Sequence, residues 1–408
     1  MSDMIITELR PQVLAASQNL DAWIEQQNFQ GWDPFDALNS PLLKRLTLGN
    51  RQLGQGWVQL FKRSPLNLRP LLGVPKGYNP KGMGLFLASY LRKYLLNGFS
   101  VDRQRVEYLL DWLGSHVSPG YHGACWGYNF DWPNRVFFAP TGTPTVVNTA
   151  FIGLALLDMG ELSGPKGALD GELPARAFKL ARSSCDLIVE YLNRYVSSED
   201  ELCFSYTPLD QRYVHNANVL GALLLARVAA WIGEPELKRI AMAAARYTAR
   251  RLRPEGYWPY GEGTEDAWVD NFHTGYVLVA LREISKVLGT DEFEEVIQRG
   301  YAYWKVHFFT EDGAPKYYPT REFPIDVHSA AQAILTFLEF SDEDAQAKNL
   351  AYRVAKWVIE NMQAPEGYFH YQIHSGYRIR IPYMRWSQAW MQRAFAELAW
   401  QESNENLA

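Results

Sequence analysis

His215–Trp231 reads HNANVLGALLLARVAAW, and after a short polar break Glu236–Leu252 reads ELKRIAMAAARYTARRL. The first run is apolar on most faces of a 3.6-residue period, the pattern of a helix surrounded by protein. The second is apolar along one stripe and charged elsewhere, the pattern of a helix with one wet side. An inner helix followed by an outer one is a hairpin, and the same order recurs along the chain. The other buried runs are MGLFLASYLRKYLL, VVNTAFIGLALLDM, NFHTGYVLVALREI, VHSAAQAILTFLEF and RWSQAWMQRAFAELAW. The other one-sided runs are VDRQRVEYLLDWLGSH, ARAFKLARSSCDLIVEYLNRY, DEFEEVIQRGYAYWKVHF and AQAKNLAYRVAKWVIENM.

A short aromatic segment precedes five of the inner runs: CWGYNFDW, CFSYTPLD, GYWPYGEG, PKYYPTRE and GYFHYQIH. The helices that follow begin near Asn148, Asn216, Asn271, His328 and Trp386, about 55 to 70 residues apart, which implies stacked copies of one two-helix unit. Six inner helices and five outer ones leave one outer partner missing, and the stretch from about Gln12 to Gln27 is the available candidate. The expected fold is all-α, an (α/α)6 toroid of six helical hairpins closed by the N-terminal helix. One domain is expected over residues 1–408, with 1–79 as the closing segment and 80–408 as the hairpin repeats. The long connections fall on one rim, ahead of the inner helices. Long ordered loops are uncommon unless functional, and helix N-termini favour anionic groups. That rim is the expected site.

Composition narrows the partners. The 408 residues are 47% hydrophobic and 14% aromatic, ample for a core, and 45 acidic against 40 basic residues give a net charge of −5. That balance argues against a nucleic-acid surface. Cys125, Cys185 and Cys203 are odd in number and lack CxxC spacing, so neither a disulfide framework nor a zinc ribbon is indicated. No basic region followed by an apolar run opens the chain, and Arg227 interrupts the longest apolar helix. A soluble, cytoplasmic protein with no integral membrane segment is expected. No GxGxxG, GxxxxGK[ST], HExxH or GxSxG occurs, and neither cofactor nor metal is expected; His273 with Asp270 lacks a specified third ligand.

Histidines open three consecutive inner helices: His215, His273 and His328, beside the cap-forming Asn216, Asn271 and Asp326. A neutral imidazole there suits a base near neutral pH. Carboxylates gather on the same rim. Glycoside cleavage needs two of them across a sugar, and Asp131 with Glu262, on loops of different repeats, forms the better opposing pair. Asp266 and Asp270 share a face if the helix begins early, although Asp270 serves equally as a plain N-cap. The expected catalytic set is therefore Asp131, Glu262, Asp266, Asp270, His273 and His328. Trp126, Tyr128, Trp132, Tyr206, Trp258, Tyr260 and Trp386 offer faces for sugar rings, with plugging of the ring ends as their simpler role. Asn148, His215, Asn216, Asn271 and Asp326 offer hydrogen bonds. Arg135 and Arg385 offer forks for a carboxylate or phosphate, as do Arg212 and Arg321.

Long strings carry a resemblance: WDPFDALNSP, RSPLNLRPLLGVPKGYNPKGMGLF, CWGYNFDWPNR, GTPTVVNTAFIGLALLD, CFSYTPLD with HNANVLGA, WVDNFHTGYVL, PIDVHSAAQA and IPYMRWSQAW. Through them nearly the whole chain resembles the VpsJ-like bacterial polysaccharide-biosynthesis family. The resemblance implies a role in surface-polysaccharide or lipopolysaccharide synthesis, with contacts to polysaccharide-assembly proteins, and carries over no catalytic residue. The fold looks like that of six-hairpin glycosidases, of sugar 2-epimerases that work with histidines at inner-helix ends, and of toroidal polysaccharide lyases. The expected function is that of a carbohydrate-active enzyme acting on a glycan or activated sugar. Glycoside hydrolysis leads, with epimerase or lyase chemistry as the alternative. A terpenoid cyclase, without the DxDD motif, and a non-catalytic glycan-binding subunit are the readings from other classes.

Overall fold

The computed structural model describes residues 2–134, 137–161 and 172–405. Six inner helices, α4 (Pro80–Asn97), α6 (Val146–Glu161), α8 (His215–Ile232), α10 (Asn271–Leu288), α12 (Val327–Glu339) and α14 (Trp390–Glu405), contact one another in sequence, and α14 returns to α4 to close the ring. Outside them lie α5 (Ser100–Ser115), α7 (Glu172–Asp186), α9 (Pro235–Ala249), α11 (Glu294–His307) and α13 (Ala347–Met362), each against the inner helix that precedes it. The sixth outer position is taken by α1 (Ser2–Gln26), which packs on α13 and α14. The fold is the (α/α)6 toroid. None of the described helices is long and apolar enough to cross a membrane.

Differences from the sequence reading lie at element ends. The expected closing helix begins at about Gln12, just after Pro11, a residue that lacks the N–H a helix interior needs. The helix instead runs through Pro11. Leu9, Val13, Ala16, Leu20 and Ile24, spaced three or four apart, are all buried, so packing of that stripe overrides the local penalty. The segment ARAFKLARSSCDLIVEYLNRY is helical only to Tyr191, after which Arg194–Ser198 pairs as a strand with Glu201–Phe204.

Inner helices approach so closely that side chains must be absent at contact points. A Cβ on Gly84 would sit 2.7 Å from Cγ1 and 3.2 Å from Cα of Ile152 on the neighbouring α6. Backbone cannot yield as a flexible side chain can. Gly84→Ala is therefore expected to cost about 1–3 kcal/mol of stability through overpacking, read as a lower midpoint in urea denaturation.

The N-terminal closing segment does more than close the ring. Between α1 and α4 the chain forms two further helices, α2 (Pro41–Leu46) and α3 (Arg51–Arg63), which share a small apolar cluster of Leu38, Leu43, Val58, Phe61 and Val74 distinct from the main core. This cap sits on the rim that carries the inner-helix N-termini, with α3 against the Trp132–Pro133 strand. Across from it, Lys316–Tyr318, Arg321–Asp326, Gln372–Ile373 and Arg378–Ile379 form a four-stranded antiparallel sheet.

Candidate active site

A cavity of about 290 Å³ opens at the N-terminal ends of the inner helices. One wall is α3, through Gln55, Gln59 and Lys62; the rest comes from the aromatic connections and the openings of α10 and α14. Tyr128 stacks on Phe130 at 5.0 Å between centroids, and Tyr260 stacks on Trp268 at 4.3 Å. Trp132 packs on Tyr206, whose hydroxyl lies 3.4 Å from that of Tyr128. Burial pushes both hydroxyls and that of Tyr260 above the ordinary phenol range, so they stay protonated and can donate.

His273 stands on this wall with 22% of its side chain exposed. Asp270 is the N-cap of α10: its Oδ1 accepts the His273 N–H at 3.0 Å, and its Oδ2 lies 2.7 Å from His273 Nδ1. Trp268 Nε1 donates to the same Oδ2 at 3.0 Å and holds the carboxylate in place. A carboxylate on Nδ1 favours the tautomer with its proton there and a lone pair on Nε2, the arrangement of a general base. N-cap and orienting partner are therefore one residue.

The floor is ionic. Arg385 donates from Nε and Nη2 to Asp33 at 2.6 and 2.8 Å, and both residues are almost wholly buried. Arg69 extends the network, donating to Asp36, to Tyr383 Oη and to the Asp33 carbonyl. Burial outweighs the Arg69 charge at Asp36 and raises its pKa to about 6. Asp33, Asp36 and Arg69 thus fasten the closing segment to the floor. Beneath it, Lys81 Nζ lies 4.2 Å from the centroid of Phe151 and 5.2 Å from that of Trp390, and burial, then the nearby Arg385, lowers its pKa well below the usual lysine range.

The other expected carboxylates stand away from the cavity wall, each engaged in the framework. Asp131 ties the loop to α2, accepting from Thr141 and pairing with Lys44 at 2.7 Å; these bonds outweigh burial and keep it ionised. Glu262 lies between His215 Nε2, at 3.1 Å, and Arg251, with its pKa lowered chiefly by the hydrogen bond to His215. Asp266 forms a two-pronged pair with Arg212 and neutralises it. Asp326 caps α12 and accepts from Gln372 and Trp386, while burial raises its pKa to about 6. No Asp or Glu is among the described residues that line the cavity, so the expected Asp131–Glu262 pair does not face a sugar across it.

His328 also departs from expectation. It lies below the floor at 1% exposure, with Phe272 and Trp386 over it and Nε2 in contact with Tyr276 Oη. Burial, then Lys81 and Arg385, keep it neutral. Trp126 and Trp258, at corresponding places in two repeats, turn inward and donate to the carbonyls of Leu113 and Thr248, locking the ends of the preceding outer helices. Asn271 bridges α10 to Trp304 and to the Lys316 carbonyl. His215, Asn216 and Asn148 are buried off the cavity, and Arg135 lies outside the described residues. Of the expected set, the cavity brings together Tyr128, Trp132, Tyr206, Tyr260, His273, Arg385 and Trp386. Lys62, Trp268, Phe272 and Tyr317 complete it and were not in that set. Among the described residues no three His, Cys, Asp or Glu side chains converge to hold a metal ion.

The ring's other mouth holds a second cavity, of about 410 Å³, where Arg92 and Arg227 share Asp158 and Arg92 also pairs with Glu397. Its arginines are matched by acids.

Neither a family model nor a curated protein matches the sequence. Solved structures do match the fold. Cellobiose 2-epimerase from Bacillus thermoamylovorans aligns with a TM-score of 0.62 at 11% identity over 81% of this chain and 90% of its own. The GH76 α-mannanase BT2949 of Bacteroides thetaiotaomicron gives 0.58 at 12% over 80% and 88%. The unsaturated glucuronyl hydrolase of Bacillus sp. GL1 gives 0.62 at 13% over 97% of each chain.

Proposed function

We propose that this chain is a carbohydrate-active enzyme that moves a proton on a sugar, an isomerase or epimerase with His273 as its base. The observation that carries this is the Asp270–His273 pair at the wall of an aromatic cavity whose described lining residues include no carboxylate. In the proposed step, His273 Nε2 takes the proton from C2 of an open-chain aldose. The C2–H electron pair forms the C1–C2 double bond, and the carbonyl electrons move to O1, giving an enediolate. Lys62 supplies positive charge for that developing oxyanion, and Arg212 and Arg385, each paired with an acid behind it, add N–H donors on the same wall. Transfer of the O2 proton to the neighbouring O1, with return of the His273 proton to C1 from the same face as C2=O forms, gives the ketose with a single base. Delivery to the opposite face of C2 gives the epimer and needs a second donor, for which the Tyr128–Tyr206 hydroxyl pair is the candidate.

Neighbours named as epimerases and as a D-mannose isomerase support this reading at the level of fold. The mannanase and glucuronyl hydrolase support the alternative, glycoside hydrolysis, which needs two opposed carboxyl groups that the described cavity wall does not supply. The VpsJ-like resemblance adds the setting, a cytoplasmic step of surface-polysaccharide assembly. The test is proton NMR in D2O with a panel of aldoses, disaccharides and uronates. Deuterium appearing at C2 of the aldose, or at C1 of a ketose product, is the expected result. Glycoside cleavage without exchange at C2 overturns the proposal.

A further inference from the structure

A second hollow, of about 430 Å³, continues from the cavity and shares Gln59, Lys62, Arg63, Tyr317 and Tyr318 with it. It runs between α3 and the four-stranded sheet, two features that the hairpin repeat does not require. Among the described residues, the two hollows together are lined by five cations, Lys62, Arg63, Arg212, Arg321 and Arg385, and by no carboxylate. Arg212 and Arg385 are neutralised from behind by Asp266 and Asp33. No ion pair joins Lys62, Arg63 or Arg321 to an acid among the described residues.

Lys62 is half-buried, with Nζ 4.7 Å from the Phe35 centroid, and the neighbouring Arg63 opposes its charge while Asp326, Asp270 and Asp33 favour it from a distance without pairing. Burial lowers its pKa. An anion arriving there offsets the lost hydration of Lys62 and its repulsion by Arg63. Arginine forks suit carboxylate and phosphate alike. The groove also offers ring faces: His374 stacks on Tyr377 at 4.4 Å, and the Arg321 guanidinium lies 4.2 Å over Tyr318. Rings and cations together fit a sugar that carries charge.

We infer that this groove binds an acidic unit, bearing a carboxylate or a phosphate, attached to the sugar that occupies the cavity. Lys62, Arg63 and Arg321 hold the charge, and Tyr317, Tyr318 and Tyr377 hold the ring. The inference rests on the carbohydrate reading of the cavity but not on the role of His273, so it is read by binding rather than by turnover.

Calorimetry with trigalacturonate, UDP-glucose and neutral maltotriose tests it, on the full chain and on Arg63→Ala/Arg321→Ala, both exposed positions that the core does not use. At least one acidic probe is expected to bind more tightly than maltotriose and to lose about 10-fold or more in the double variant, the scale of a charge-assisted contact. Its affinity should also fall as salt rises from about 50 to about 300 mM. Dependence for trigalacturonate alone assigns a uronate, and for UDP-glucose alone a phosphate. Equal binding of acidic and neutral probes, no binding of either acidic probe, or an unchanged acidic affinity in the variant overturns the inference. Loss of C2 exchange in His273→Gln with groove binding intact separates the two readings.

Discussion

His273→Gln is expected to lower turnover by about 10²–10⁴-fold, the usual contribution of a positioned base, while leaving the unfolding midpoint nearly unchanged. The side chain is partly exposed on the cavity wall, and glutamine can keep a hydrogen bond to Asp270, so packing changes little. What is lost is the lone pair on Nε2. Asp270→Asn discriminates further. An amide group at that place removes the anionic partner of Nδ1 and permits the other tautomer, with the Nε2 proton facing the substrate, so kcat should fall by about 10²-fold or more. Because an asparagine still caps α10 through its oxygen, stability should fall by only about 1 kcal/mol. The readout is C2 deuterium exchange together with kcat and KM. Full exchange in His273→Gln would falsify the assignment of the base.

Why His273 reaches the cavity while His328 does not is a matter of one residue in spacing. Each follows an aspartate cap, but His273 stands three positions after Asp270 and His328 two after Asp326. Residues three apart share a helix face; residues two apart do not. The imidazole of His273 therefore folds back on its cap carboxylate. That of His328 swings under Phe272 toward Tyr276. The D-x-x-H spacing was legible in WVDNFHTGYVL, although the sequence reading grouped all three histidines by position alone. The ring itself was legible because burial on all faces against one face distinguishes inner from outer helices at every repeat.

Other features were not legible, for physical reasons. The cap built on α2 and α3 occurs once, so periodicity says nothing about it, and the basic Lys62 and Arg63 read as an ordinary helix end. Trp126 and Tyr128 lie two residues apart in CWGYNFDW, yet one donates inward to Leu113 and the other faces the cavity. Side-chain direction within an irregular loop depends on backbone angles that no spacing rule supplies. The carboxylates gathered on the rim as expected, but proximity on a rim leaves their partners undetermined, and each had a nearer cation or N–H to satisfy.

Asp33→Ala is expected to destabilise the protein by about 3–5 kcal/mol, the cost of breaking a buried ion pair by removing one partner. Asp33 and Arg385 are 3% and 2% exposed and bonded through two parallel N–H···O contacts. Removing the acid leaves a nearly buried guanidinium on the cavity floor without its counter-charge. Arg385 cannot escape by deprotonation, since a guanidinium stays protonated in proteins even without a partner. Most of the cost is therefore the stranded charge rather than the lost pair. Replacing both partners, Asp33→Leu with Arg385→Met, should recover much of the stability, because an apolar pair of similar size needs no compensation. Urea denaturation of the two single variants and the double variant measures the coupling. The double variant should nonetheless bind no anionic sugar more tightly than the wild type, since its cavity floor has lost a cation. A cost below about 1 kcal/mol for Asp33→Ala would place the pair among exposed ones and detach the closing segment from the stability of the site.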